Sequence, residues 1–589
     1  MSLSRRELIK LAPLAILFGL APERLFASTD EAVEKLYAMP PTGDFRLIHI
    51  TDVHGQLLPV HYREPNVNIG VGVAFGRPPH LVGQALLKQF GIPEGGRRAH
   101  ALTYLDYVAG TRRYGRMGGF AHIKTLIDRL RGEAKASLLM DGGDTWQGSA
   151  TALWTKGADM VEAANRLGVD CMTGHWEFTY PADVIRKNIA ALKADFLAAN
   201  VFLSDDAAFS GAKAYDDAGH AFKPYAIKTL NGQRVAVIGQ AFPHVHVAHP
   251  SHFTPDWSYG IHDQELQTLV DTIRDKEKPA LVVLLSHNGM DTDLKLAGKV
   301  SGIDIIFGGH THDALPAPSL VENGKGKTLV TNAGTNGKFV GVVDVEIAAG
   351  GGLKRWNYRL MPVFSELLPA APGMAKWIAD LRAPYAKKLS EPLGTAESLL
   401  YRRGNFNGTM DQLICNALRK VLGADLSFSP GFRWGTSVPP GEHLTFEDVM
   451  QETSITYPNT YVSTMTGAQI KATMEDVCDN LFNPDAYRQQ GGDMVRVGGL
   501  NYTCDPGEKI GARLTALRLD NGKPLEADKQ YKVAGWAAVN TEPTGAPVWD
   551  VVANYLRSDR HATRIDRLNQ PRLRNVKNNP GLADYDTSM

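Results

Sequence analysis

The chain has 589 residues, too many for one ordinary core, so two domains plus tails are expected. Its 63 Lys and Arg balance 63 Asp and Glu, which gives no reason to expect a polyanionic partner such as nucleic acid or an acidic membrane surface. A hydrophobic content of 43% with 21% charged residues is that of a soluble globular protein, and the 58 Gly and 33 Pro point to many turns and long loops.

The chain opens with Arg5-Arg6, an apolar segment from about Leu11 to Ala21, and small residues at Ala27 and Ser28. That is a charged region, a short hydrophobic region and a cleavage site, too short for a comfortable transmembrane helix. Ser4 to Lys10 looks like a twin-arginine export signal, so residues 1–27 are expected to be a signal peptide and the mature protein periplasmic, with no lasting membrane association.

From residue 45 one pattern recurs: an apolar β-rich run, then a small or glycine-rich turn holding Asp or His. "FRLIHITDVHGQ" gives Asp52 and His54, and "ASLLMDGGDTWQG" gives Asp141 and Asp144. "VDCMTGHWEF" gives His175, "ALVVLLSHNG" gives His287, and "GIDIIFGGHTHD" gives His310 and His312. Continuous apolar runs of this kind fit strands buried on both faces of a layered α/β structure, and 119–131 and 263–278 have helical spacing between them. Ligands in such folds gather beyond the carboxyl ends of strands, where these residues fall. One such histidine is more often structural, and one such aspartate can simply cap a helix. Five strand ends of the same chemistry are a constellation. Imidazoles mixed with carboxylates suit Mn, Fe or Zn, and seven ligands exceed one tetrahedral site. A shared aspartate would place two metals about 3.5–4 Å apart.

A long Gly/Pro-rich segment separates Leu57 from Met117 and is expected to help wall a narrow cleft. The proline-punctuated stretch near 365–372 and the amphipathic helix after it mark a domain boundary. The organisation expected is signal peptide 1–27, catalytic domain 28–370, linker helix 371–390, substrate-binding domain 391–570 and a surface tail 571–589. The four cysteines, Cys171, Cys415, Cys478 and Cys504, form no CxxC pair. Buried free thiols or one disulfide are both open, with Cys478–Cys504 the least strained pairing by spacing.

In their order, "DVHG", "GGD", "GHWEF", "SHNG" and "GGHTHD" resemble the dinuclear metallophosphoesterases, and within them the 5′-nucleotidase branch, over about residues 44–570. The resemblance implies an α/β fold: a layered β-sandwich metallophosphoesterase domain flanked by helices, then a smaller α/β 5′-nucleotidase-like domain. It implies one metal on Asp52, His54, Asp144 and His312, and a second on Asp144, His175, His287 and His310. Asp144 then bridges, the attacking group is a metal-bound hydroxide held there, and Asp141 is a spare, structural acid. The nucleotidases have G-N-H-E-F-D at the third motif, with Asn a ligand and a His–Asp dyad assisting catalysis. Here His175 takes the Asn position, Trp176 that of the catalytic His and Thr179 that of its Asp. Loss of both dyad members argues against expelling a poorly stabilised alkoxide, for which a positioned acid is worth about 10²–10⁴-fold.

The export signal, "GHWEFTY" and the domain plan together resemble the SoxB family, thiosulfohydrolases of bacterial sulfur oxidation. That resemblance implies two Mn²⁺ ions (Zn²⁺ or Fe remaining open) and release of sulfate from a cysteine S-thiosulfonate. It implies as partner a SoxYZ-like sulfur carrier with a C-terminal cysteine arm. A periplasmic 5′-nucleotidase or related phosphoesterase is the alternative. "SFSPGFRWG" stands where nucleotidases hold the substrate anion, making Arg433 the first substrate-binding candidate, with Arg402 and Arg403 weaker ones. "VMQETSITYPNTYV" stands where nucleotidases clamp the base but lacks their motif, so Tyr457 is expected to line a channel. Trp176 is expected to shape an apolar wall beside the leaving sulfur.

Overall fold

A computed structural model describes residues 36–324 and 326–583; the expected signal peptide and residues 584–589 lie outside them. The first strand, β1 (Phe45–Ile50), is buried along its whole length, as its unbroken apolar character requires. It is followed in the same sheet by β2 (Ser137–Asp141), β3 (Cys171–Met172) and β4 (Asp195–Phe196), all parallel. A short ribbon pairs β5 (Val201–Leu203) with β8 (Trp257–Tyr259), and between them come β6 (Tyr225–Leu230) and β7 (Gln233–Gln240). The second sheet continues with β9 (Leu281–Ser286), β10 (Ile305–Gly308), β11 (Ser319–Asn323) and β12 (Gly326–Asn332). Finally β13 (Phe339–Ile347) and β14 (Leu353–Pro362) return antiparallel to the edge of the first sheet.

The strand orders are β14-β13-β1-β2-β3-β4 and β11-β12-β10-β9-β7-β6. In each sheet the central strands run parallel, and the two sheets face one another through Leu47, Leu138 and Met140 on one side and Val237, Val283, Leu285 and Phe307 on the other. Helices cover the outer faces. Phe120–Glu133 buries Phe120, Ile123, Leu126, Ile127 and Leu130 against the first sheet, and Asp263–Lys276 buries Leu266, Val270 and Ile273 against the second. Their three- and four-residue spacing is the apolar stripe of a helix laid on a sheet. The layered α/β sandwich expected from sequence is the fold observed.

The helix Pro372–Arg382, continued by Ala386–Leu389, leads into a second α/β unit. Its four-stranded sheet orders Thr460–Thr466, Gln530–Trp536, Leu426–Ser429 and Arg496–Gly498. The helices Thr409–Leu422 and Val548–Ser558 pack together beside it, with Leu413, Ala417, Val552 and Leu556 in one buried cluster. All four cysteines are buried free thiols, with the Cys478 and Cys504 sulfurs 3.9 Å apart.

Two expectations are corrected. The surface tail does not begin at 571: Arg572–Leu573 pairs with Leu500–Cys504, and Gly581 and Leu582 are buried. The 57–117 segment carries three short helices and straps the two units together. The Ser437 N–H donates to the His61 carbonyl, the Ile69 N–H to Asn405 Oδ1, and the Val82 N–H to the Pro580 carbonyl. Its backbone needs are met by segments hundreds of residues away, which local sequence does not reveal. Among the described residues, no helix is long and apolar enough to cross a membrane.

Candidate dinuclear metal site

All five strand ends converge. Asp52 and His54 follow β1, Asp144 follows β2, His175 follows β3, His287 follows β9, and His310 and His312 follow β10. Five of these residues (Asp52, His54, Asp144, His310 and His312) have positive φ, between 51° and 73°. Left-handed backbone is uncommon outside glycine, and its concentration here turns each side chain sharply from its strand toward one point. The turns also need bareness: a Cβ on Gly309 would stand 2.6 Å from Thr51 Oγ1 and 2.8 Å from His287 Nδ1.

Two buried groups result, Asp52, His54, Asp144 and His312, and Asp144, His175, His287 and His310, the ligand atoms of each within 4.8 Å of one another. These are the two sets expected, with Asp144 common to both. Its Oδ2 lies 3.0 Å from His287 Nε2, 3.1 Å from His175 Nδ1 and 3.6 Å from His54 Nε2. On the other side His312 Nε2 lies 3.2 Å from Asp52 Oδ1.

The groups fit cations. His54 Nε2 faces His312 Nε2 at 3.1 Å, and His175 Nδ1 faces His287 Nε2 at 3.2 Å. Such pairs present two lone pairs to the same space. Both ring nitrogens of His310, and Nδ1 of His54 and of His312, are buried with no hydrogen-bond partner. The electrostatics agree. Burial pushes the Asp52 carboxyl up to about 6, although His287 opposes it. Burial also opposes charge on His287, but Asp144 and Asp52 overcome it and push the imidazole up to about 10. Burial disfavours the charged form of Asp144 too, yet His175 and His287 hold it well below the usual carboxylate range. Two desolvated carboxylates are thus drawing positive charge into the centre, the role a divalent ion fills.

The surroundings hold the set in place. His287 Nδ1 contacts the Gly142 carbonyl at 2.6 Å, leaving Nε2 to point inward. Glu177, fully buried, accepts from the N–H groups of Thr145 and His175 at 2.8 Å, Trp146 at 3.1 Å and Asp144 at 3.2 Å. Asp141 does not join the cluster. It accepts from Thr145 Oγ1 and the Gly143 N–H, and burial pushes its carboxyl up to about 8.

A cavity of about 260 Å³ opens over the cluster, lined in part by Asp144, His175, Trp176, His310, His312, Phe432, Arg433 and Trp434. Trp176 and Arg433 therefore stand where substrate would enter. The Arg433 Nη2 donates to the Gly492 carbonyl at 2.8 Å, Nε lies 3.6 Å from Asp493, and Nη1 is buried with no hydrogen-bond partner. Tyr457 does not line this cavity; its hydroxyl lies 2.9 Å from His249 Nδ1. Arg402 and Arg403 are turned away as well, into ion pairs with Asp411 and Asp493. No residue of 57–117 lines this cavity; the segment instead walls a smaller one of about 30 Å³ that also reaches His312, with Glu64, Pro79 and Val82 among its lining.

Sequence reasoning missed Glu177 as an acceptor and His249 altogether. His249 lies beyond the carboxyl end of β7, a parallel strand beside β9; the strand-end rule applied to "RVAVIGQAFPHVHVAHP" marks the stretch but does not choose among His244, His246 and His249.

Two family models match: the calcineurin-like phosphoesterase over residues 45–314 and the 5′-nucleotidase C-terminal domain over 392–549. The solved structure of the sulfate thiohydrolase SoxB of Thermus thermophilus, in complex with glycerol, superposes with a TM-score of 0.83 at 34% identity, covering 91% of this chain and 98% of that one. The chain belongs to the SoxB family. More distant relatives are the bovine 5′-nucleotidase, 25% identical over 71% of this chain and 76% of its own length, and the trifunctional nucleotide phosphoesterase YfkN of Bacillus subtilis, 26% identical over 70% of this chain. The chain spans only 30% of YfkN. With both metallophosphoesterase and nucleotidase units present, this SoxB-family chain is a metal-dependent hydrolase.

Proposed function

We propose that the protein hydrolyses the terminal sulfonate of a cysteine S-thiosulfonate on a periplasmic carrier protein, releasing sulfate. In balance, RS–S–SO₃⁻ and water give RS–SH and HSO₄⁻, the bond broken being that between the sulfane sulfur and the sulfonate. Two divalent ions, manganese being the pair proposed, supply the acidity that makes water nucleophilic at neutral pH and offset charge on the sulfonate oxygens. Asp52, His54 and His312 hold one, His175, His287 and His310 the other, and Asp144 holds both. Arg433, with Nη1 free and beside the cavity, binds a sulfonate oxygen by a charge-assisted hydrogen bond.

The observation that carries the reading is Trp176. It is 4% exposed, its ring centroid is 5.1 Å from that of Phe432 and 6.3 Å from that of Trp434, and by the resemblance of "GHWEF" to the nucleotidase motif it takes the place of a catalytic histidine. These three rings give the cavity an apolar wall and donate no proton to a leaving group. A persulfide is a far more stable anion than an alkoxide and leaves without that help. Export through the twin-arginine pathway places such an enzyme beside a secreted carrier.

The nucleotidase domain and the bovine relative favour a second reading, phosphate release from nucleotides. Manganese-loaded protein is offered AMP and, separately, a peptide ending in cysteine S-thiosulfonate, with phosphate and sulfate measured in parallel. Sulfate without phosphate is expected; phosphate alone returns the chain to the nucleotidases.

A further inference from the structure

We infer that His249 is a positioning residue that fixes the tautomer of His175, and that Tyr457 makes this depend on the seating of the second domain. The inference rests on the two-metal reading above.

Five histidines surround the metal positions, but only two have their outer nitrogen engaged. For His287 the partner is a backbone carbonyl. For His175 it is another imidazole: Nδ1 points inward, 3.1 Å from Asp144, while Nε2 meets His249 Nε2 at 2.9 Å. Unlike the inward-facing nitrogen pairs, this one lies outside both ligand groups, so no cation is there to hold two bare nitrogens together and one proton lies between them. If His175 turns the lone pair of Nδ1 toward a cation, its proton is on Nε2 and donates to His249. His249 then carries its own proton on Nδ1, which donates to the Tyr457 hydroxyl at 2.9 Å. Each proton position determines the next. An acceptor behind a metal-holding histidine fixes its ring orientation and raises its basicity.

Burial holds the arrangement. His249 is 3% exposed, its ring 4.4 Å from that of Trp176 and 5.0 Å from that of His175. Tyr457 lies between the helix Phe446–Thr453 and the strand Thr460–Thr466 of the second domain. Its segment is clamped to the metal loops: Gln147 Nε2 donates to the Ser454 carbonyl, and Thr456 Oγ1 to the Thr179 carbonyl at 2.9 Å. The relay therefore joins a metal-holding side chain of one domain to a loop of the other.

The test uses the full chain with Mn²⁺. Wild type, His249→Ala, His249→Gln and Tyr457→Phe are compared for ions retained after desalting, for affinity by chelator competition, and for the electron paramagnetic resonance spectrum of the coupled pair. His249→Ala is expected to weaken one of the two ions by about 10–100-fold and leave the other unchanged. His249→Gln, whose amide oxygen accepts the same N–H, recovers most of that loss, and Tyr457→Phe weakens the same ion several-fold. Two ions held by His249→Ala as tightly as by wild type overturn the inference. So does equal loss of both ions from the Ala and Gln variants, because that marks a packing defect. A wild-type chain that retains fewer than two ions overturns the two-metal reading itself.

Discussion

Asp493 carries more of the site's electrostatics than its distance from the metal positions suggests. Its carboxylate is buried among three guanidinium groups: Arg403 at 3.2 Å, Arg496 at 3.3 Å and Arg433 at 3.6 Å, with Asn405 Nδ2 donating at 3.2 Å. Burial alone would raise its pKa, but Arg403, Arg433 and Arg496 together hold it below the ordinary carboxylate value. A depressed folded-state value means stability that is complete above the ordinary pKa of about 3.9 and is lost as pH falls through the lower, folded value. Asp493→Asn leaves the arginines uncompensated and is expected to cost about 3–5 kcal/mol. Thermal unfolding from pH 8 downward checks this: the deficit of the variant stays constant to about pH 5 and narrows only below pH 4, where wild type loses the same charge. A deficit that already shrinks between pH 8 and 6 would mean another group is responsible.

At the scale of elements, the loop over the cavity is constrained from both sides. Gly491, at φ +90°, stands so close to the cluster that a Cβ would lie 2.2 Å from His310 Nε2, whereas one on Gly492, at φ +76°, would meet nothing nearer than 3.5 Å. Gly492→Ala is expected to cost only backbone strain, about 1–2 kcal/mol. Gly491→Ala also displaces the His310 ring, and should lower manganese retention and cut turnover more than tenfold while Gly492→Ala does not. Equal effects of the two would assign the loss to strain alone. The same contrast explains what the sequence discloses. The seven candidate metal ligands were legible because each lies within a few positions of an apolar run, and strand-end chemistry is local. His249 was not, because three histidines crowd that stretch and only the folded contact of His249 Nε2 with His175 singles out the third. The strap at 57–117 and the sealing of 571–583 were illegible for a stronger reason: their partners lie from about 70 to several hundred residues away. Glu177 was in plain view within "GHWEF", but its role is to collect backbone N–H groups, which no side-chain motif records.

For the whole molecule, the candidate metal site and the domain interface are one structure. Trp176 belongs to the loop after β3, yet its ring is buried in the hydrophobic cluster of the second unit, with Trp434, Met450, Ile455 and Trp536. Asn336 Nδ2 donates across to the Gly435 carbonyl at 2.7 Å, and Gln147 and Thr456 bind the same interface from opposite sides. Truncating so large a buried ring, Trp176→Ala, is expected to cost about 3–5 kcal/mol. Removing the ions with a chelator also lowers stability, since a ligand at 1,000 times its dissociation constant contributes about 4 kcal/mol. Effects at independent sites add, while those sharing a cooperative contact do not. His175 is flanked on its chain by Trp176 and on its ring by His249, so loss of the tryptophan should loosen the ions, and loss of the ions should loosen the seat of the tryptophan. The thermal midpoints of wild type and Trp176→Ala, each with and without manganese, form the cycle that decides. The drop on chelation should be clearly smaller in the variant than in wild type. Equal drops would show that the second domain is merely attached beside the metals, and that the cavity is built without reference to them.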